Sequence, residues 1–337
     1  MSADLVPAAA ILALTSAAVL AAYVLIVPDT NVDLGSLATA KAASANAEAA
    51  VETVYPLRPE SQFVKLTAGT THFYMCGSKS GRRIALLHGI LGTWASCPEF
   101  VDGLVKRGFH VLVFELYGRG YSSSPGTNVC RYSGTDYAKQ LKELLDHVGW
   151  DTAIILGNSL CGGIAIAFAD LFPERVDKVL LVAPAGLMKD IPWTGKIALL
   201  PVIGSIFGYS LGNKILKARG NNLDSMESPQ IKHAIAIATA QIDYHPGILR
   251  AFLETVRSGP IRGGEGAYNR VGARFGSRVL CVWGNVDTVV DFKELSPVFT
   301  RLMPDAKLVV VDKIGHELIV DGPHFVLDSI LEFLNER

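Results

Sequence analysis

The chain has 337 residues, half of them hydrophobic, with a formal net charge of −1. That length accommodates one large α/β domain with an insertion, and more core than a small domain needs. Near-neutral charge without a basic cluster argues against nucleic acid as the main partner. The cysteines Cys76, Cys97, Cys130, Cys161 and Cys281 have neither the spacing of a disulfide framework nor that of a zinc site. No metal and no cofactor is expected. Cys76 and Cys281 lie in apolar, strand-like runs and read as buried free thiols. Cys97 and Cys130 lie in loops and could pair in an oxidising compartment.

Residues 6–27, VPAAAILALTSAAVLAAYVLIV, carry no charge. As a helix they would span about 33 Å, against a bilayer core of roughly 30 Å. A secretory signal has a basic start, a shorter apolar core and a small-residue cleavage site. Here the start carries Asp4 and no Lys or Arg, and the run ends in bulky YVLIV. The expectation is a single-pass N-terminal membrane anchor over residues 1–28, with a cleaved signal and a secreted product as the alternative. The first basic residue is Lys41, so the positive-inside rule gives no orientation. Residues 29–60 read as a linker, because 29–55 are rich in Ala, Asp and Asn with little apolar periodicity.

The globular part is expected over 61–337. FVKLTAG and THFYMCG (63–77) predict a hairpin. Six apolar runs follow: RIALLHG (83–89), HVLVFELYG (110–118), TAIILGNS (152–159), VDKVLLVAP (176–184), SRVLCVWG (277–284) and AKLVVVDKIG (306–315). Continuous apolar runs of this length suit strands buried on both faces of a parallel sheet. Helical patterns separate them at 134–149, 160–172, 291–303 and 324–336. Alternation of this kind predicts a doubly wound, mostly parallel α/β sheet. Between about 187 and 273 no clear strand is seen, and QIKHAIAIATAQIDY and PGILRAFLETVRS read as helices. This segment is expected to form a helical cap over the sheet.

Ligands of open parallel sheets bind beyond the carboxyl ends of the strands. Ser159, in GNSLCGG (157–163), ends one run and starts a helix; Asp287 follows SRVLCVWG; His316 follows AKLVVVDKIG. A hydroxyl is a poor nucleophile until a base takes its proton, and imidazole can take it and later return it to the leaving group. A buried carboxylate fixes the imidazole tautomer and stabilises the imidazolium. Placing Ser159 at a helix N-terminus brings the N–H of Leu160 toward a developing oxyanion. The loop in LLHGILG (86–92) offers a second donor, the N–H of Ile90.

The order Ser, Asp, His and the pieces HGILG, FELYGRGYS, GNSLCGG, WGNVDTVV and GHELIVDGP resemble, from about residue 60 to the C-terminus, the α/β-hydrolase fold serine hydrolases. The resemblance implies Ser159 as nucleophile, His316 as base, Asp287 as its acid partner, and Ile90 and Leu160 as oxyanion donors. Glu115 stands where that superfamily usually has Asp, a conservative exchange. An anchor before such a domain is similar to membrane-bound monoacylglycerol lipases. The GNS elbow is similar to carbon–carbon hydrolases of ring-opened aromatics. Cys161 stands where a glycine is usual, two residues after the nucleophile, and reads as a tolerated small residue.

Each assignment has a plainer counterpart. Ser159 could cap its helix; Asp291 is the alternative acid; His324 reads as capping or surface. His72, His110 and His147 read as structural, His88 as holding the shape of its loop, and Arg119 as bonding backbone in its turn. His233 and His245 lie in the cap, within possible reach of substrate. The leading expectation is a membrane-anchored serine hydrolase acting on lipid or other lipophilic carboxylic esters. The alternatives are a carbon–carbon hydrolase of diketone-type acids, with Arg250, Arg257 or Arg262 holding the substrate carboxylate, an acyltransferase, and a catalytically inactive binding protein on the same fold.

Overall fold

A computed structural model describes residues 56–189, 228–245 and 247–336. The expected anchor, most of the linker and residues 190–227 of the expected cap lie outside the described residues. Among the described residues no helix is long and apolar enough to cross a membrane.

Eight strands form one sheet in the order β1-β2-β4-β3-β5-β6-β7-β8. They are β1 (Gln62–Lys65), β2 (Thr70–Gly77), β3 (Arg83–Leu87), β4 (His110–Phe114), β5 (Ala153–Asn158), β6 (Val176–Val182), β7 (Val279–Gly284) and β8 (Lys307–Val311). β1 and β2 form the predicted antiparallel hairpin, and β2 also runs antiparallel to β4. Every pairing from β4 across to β8 is parallel.

The apolar runs are continuous because alternate side chains enter two separate cores. Ala85, Leu87, Leu112, Phe114, Ile155, Leu181, Cys281 and Trp283 enter one. Their neighbours Ile84, Leu86, Val111, Val113, Ile154, Leu156, Leu180 and Val282 enter the other. Helices α2 (Gly134–His147), α3 (Leu160–Leu171) and α7 (Phe292–Leu302) pack into the first core. Helices α1 (Pro98–Lys106), α8 (Leu318–Asp321) and α9 (Pro323–Asn335) pack into the second. Helix α2 starts on a reciprocal capping box between Ser133 and Asp136.

Between β6 and β7 the described residues form three α-helices, α4 (Pro229–Tyr244), α5 (Ile248–Ser258) and α6 (Glu265–Phe275), and one isolated parallel bridge, Met188 to Arg262. The patterns at 230–244 and 246–258 anticipate the first two. Helix α6 has no predicted counterpart, because Gly266 and Gly272 interrupt the apolar period of EGAYNRVGARF. Helices α4 and α5 and the C-cap of α4 reach the loops at the carboxyl ends of the strands through hydrogen bonds: Gln241 to Leu91 and Gly120, His245 to Ser122, Arg250 to Ser124, and Thr255 to Arg119.

All five cysteines are free. Cys97 and Cys130 belong to cores on opposite faces of the sheet, so the pairing considered from sequence does not form. Cys281 is buried, but Cys76 is only half-buried, because β2 carries just the short strand β1 on its outer side.

Candidate active site

Ser159 follows β5 and precedes α3, with φ 55° and ψ −121°. A non-glycine residue at positive φ carries about 1–3 kcal/mol of strain and persists only where its surroundings hold it. Here three backbone bonds hold it: Ser159 N–H to Val182 O (2.9 Å), Gly162 N–H to Ser159 O (2.8 Å) and Ala185 N–H to Ser159 O (2.9 Å). Small neighbours make the turn sterically possible. A Cβ on Gly157 would collide with the Cys161 carbonyl oxygen, and one on Gly162 with Pro184. The side chain of Cys161 instead enters the first core, fully buried. Close approach in this turn is therefore made at 157 and 162, and position 161 has room for a thiol. Burial pushes that thiol well above the ordinary cysteine range, which opposes a nucleophilic role.

The Ser159 hydroxyl does not cap α3. Its Oγ lies 2.8 Å from His316 Nε2. On the other side of the ring, Nδ1 lies 2.8 Å from Asp287 Oδ2. A carboxylate only accepts, so Nδ1 carries the proton and Nε2 presents its lone pair to the serine. Asp287 is 3% exposed. Its Oδ2 also accepts from Trp283 Nε1 (3.2 Å), and its Oδ1 accepts from the backbone N–H groups of Val289 (2.9 Å) and Val290 (3.0 Å). Four N–H donors thus converge on one buried carboxylate. Asp291, the alternative acid, is occupied as the N-cap of α7, accepting from Glu294 N–H at 2.9 Å.

Leu160 is the first residue of α3, where a backbone N–H has no partner within the helix. The loop holding Ile90 lies beside it: a Cβ on Gly89 would be 3.8 Å from Ser159 Cβ. Three successive carbonyls of this loop are each held by a side chain. His88 Nε2 accepts from Leu116 N–H at 3.2 Å, so its Nδ1 is the protonated nitrogen and donates to Gly89 O at 2.8 Å. Burial lowers the His88 pKa to about 4 and keeps the ring neutral. Arg119 Nε donates to Ile90 O at 2.6 Å, and Gln241 Nε2 donates to Leu91 O at 3.0 Å. In a trans peptide the N–H points opposite to the C=O. The His88 bond to Gly89 O therefore also sets the direction of the Ile90 N–H.

The remaining candidates are placed elsewhere. His110 lies against Trp150, His147 against Phe73 and His324 against Phe325. His72 pairs with Glu115 at 2.8 Å. His233 Nε2 meets Ala95 O at 3.2 Å. His245 is buried, accepts from Gly247 N–H and contacts Ser122 O, and burial lowers its pKa to about 4. Arg119 does bond the carbonyls of its own turn, as expected, and its bonds to Ile90 and Thr255 extend that role across the site. Neither the Gln241 contacts nor those of Arg119 across the site are readable locally, since 150 and 136 positions separate the partners.

A family model described as alpha/beta hydrolase fold matches residues 83–198. The chain is 26% identical over 269 residues to a 2-hydroxy-6-oxo-6-phenylhexa-2,4-dienoate hydrolase of Burkholderia cepacia, covering 76% of this chain and 90% of that protein. It is 25% identical over 252 residues to Lipase 3 of Moraxella sp., covering 72% and 74%. The solved structure of naproxen esterase from Bacillus subtilis superposes with a TM-score of 0.64 at 18% identity, over 86% of this chain and 96% of that one. Sheet order, helical insertion and these similarities lead to one identification: the chain has the alpha/beta hydrolase fold.

Proposed function

We propose that the protein is a serine hydrolase of carboxylic esters with lipophilic acyl groups, working through an acyl-enzyme. The observation that carries this reading is the unbroken series Ser159 Oγ, His316 Nε2, His316 Nδ1 and Asp287 Oδ2, with both links at 2.8 Å. The Ser159 oxygen attacks the ester carbonyl while its proton passes to His316 Nε2. Asp287 stabilises the imidazolium that results. The tetrahedral oxyanion is met by the N–H groups of Leu160 and Ile90. One such donor contributes about 10²–10³ in rate where it has been removed in other hydrolases. Collapse expels the alcohol, which takes the proton from His316. Water then repeats the sequence on the acyl-enzyme and releases the acid. An inactive binding protein has no need of a strained serine aimed at a histidine.

Similarity to the Burkholderia enzyme keeps the carbon–carbon hydrolase as the second reading. That chemistry needs a cation to receive the acid substrate's carboxylate. The three cap arginines named for it are each engaged within the protein. Arg250 bonds Ser124, Arg257 pairs with Glu254 at 2.6 Å, and Arg262 bonds the carbonyls of Val256 and Arg257. Among the described residues, this favours the ester reading. An anchor over residues 6–27 fits a lipophilic substrate and is part of the proposal.

The test is turnover of p-nitrophenyl esters of graded chain length beside a ring-opened diketone acid. The ester reading predicts saturable turnover of the esters that Ser159→Ala abolishes, with little on the diketone acid. Efficient cleavage of the diketone acid with negligible ester turnover would replace it by the second reading.

A further inference from the structure

We infer that Gln241, on cap helix α4, is a positioning residue for the oxyanion loop, so that seating of the cap sets the catalytic power of Ser159. This rests on the serine hydrolase reading. Gln241 is 5% exposed and bonds both the loop of Leu91 and the turn of Gly120. Its Oε1 accepts from Gly120 N–H at 2.8 Å, and its Nε2 donates to Leu91 O at 3.0 Å. One partner can only donate and the other can only accept, so the amide has one possible orientation.

The neighbouring peptide is held from the same side of the molecule. Arg119 is fully buried and takes Ile90 O with Nε, while its Nη2 reaches Thr255 Oγ1 of cap helix α5 at 3.2 Å. Thr255 is in turn fixed by Tyr137 (2.9 Å) and by donation to Ala251 O (2.6 Å). Two consecutive carbonyls next to the Ile90 N–H are thus tied to the two cap helices. His88, from the sheet side, holds the third, which also accepts from Gly92 N–H at 3.3 Å within the loop. A loop fixed at one carbonyl can pivot about it. A loop fixed at three cannot, and the Ile90 N–H keeps its aim when the oxyanion forms. Preorganised donors of this kind act on the transition state more than on bound substrate. Both acylation and deacylation pass through an oxyanion, so the effect falls on kcat whichever step is slower.

The experiment uses the full chain, a short p-nitrophenyl ester, an aryl boronic acid as transition-state analogue and the product acid as a ground-state ligand. Gln241→Met keeps the length and removes both bonds. Gln241→Glu keeps the acceptor for Gly120 and removes the donor to Leu91, and serves if the first variant does not fold. Misplacement of a catalytic group by about 1 Å costs ~10²-fold. The expected result is therefore a loss of kcat of about 10- to 100-fold, a matching loss of boronate affinity, and KM and product-acid affinity within about twofold. A folded variant with wild-type kcat overturns the inference, as does a loss confined to KM or melting temperature with boronate affinity unchanged. Failure of the underlying reading looks different, because the wild-type protein itself would then fail to react with a fluorophosphonate.

Discussion

Among the described residues, two Ser–His–carboxylate series occur. Ser159, His316 and Asp287 are linked at 2.8 and 2.8 Å. Ser61, His72 and Glu115 are linked at 2.9 and 2.8 Å. By contacts alone they are nearly the same. Their surroundings differ in every respect that chemistry needs. Ser159 sits at positive φ on a strand-to-helix turn, with a helix N-terminus and the loop of Ile90 beside it. Ser61 lies just before a short edge strand, with no helix starting there. Burial drives the His72 pKa down to about 3 and the Glu115 pKa up to about 8. A ring with that affinity for protons is a poor base at neutral pH. Glu115 instead holds a turn: its Oε2 accepts from Tyr121 N–H at 2.8 Å, and its carboxyl lies so close to Gly120 that a Cβ there would collide with it. The comparison separates a hydrogen-bonded arrangement from one with the surroundings that the proposed reaction needs. On the proposed reading, the strained turn and the oxyanion donors beside Ser159 make the difference.

The largest effects should fall on the first series alone. Ser159→Ala is expected to lower ester turnover by about 10⁴-fold or more, and Asp287→Asn by ~10⁴ through the wrong histidine tautomer. Ser61→Ala should leave kcat within about twofold. Steady-state kinetics on one soluble ester measures all three, and a large loss in Ser61→Ala would erase the distinction.

The second series should appear in stability instead. Between 4.5 and about 8 the folded protein keeps a Glu115 proton that the unfolded chain releases, so this group makes stability fall as pH rises through that interval. His72 acts oppositely between about 3 and 6.5, where the unfolded chain holds the extra proton and stability rises with pH. The slopes oppose each other from 4.5 to 6.5, which leaves the Glu115 decline exposed from 6.5 to about 8. Glu115→Gln should flatten that decline in melting temperature while leaving the pH profile of kcat in place. A parallel shift in the kcat profile would tie Glu115 to catalysis.

The smallest effect is expected at Cys161. Its side chain fills the first core, so Cys161→Gly removes buried volume and adds a helix glycine. About 1–3 kcal/mol of stability should be lost, read by chemical denaturation, with turnover little changed. A folded Cys161→Gly protein that has lost activity would give the thiol a functional part.

How much of this was legible in the sequence follows from the range of the interactions. The strands were legible because burial on both faces leaves continuous apolar runs, and the strand-to-helix turn at Ser159 because small residues must flank it. The residues of the first series were legible because each lies in the turn or loop at the carboxyl end of a strand of the sheet. Helix α1 was not, since nine residues from Pro98 to Lys106 give little more than two turns of pattern. The second series was not, because His72 and Glu115 are 43 positions apart and neither stands in a recognisable motif with Ser61. Gln241 gave no local sign, since its importance lies wholly in which carbonyl it reaches.

The central claim is that one serine of the two is activated, and mapping a covalent adduct tests it most directly. The full chain would be treated with a fluorophosphonate and digested, and the modified peptide identified by mass spectrometry. The account predicts a single adduct on Ser159, absent from Ser159→Ala and unchanged in Ser61→Ala. An adduct on Ser61, or labelling that survives in Ser159→Ala, would contradict it.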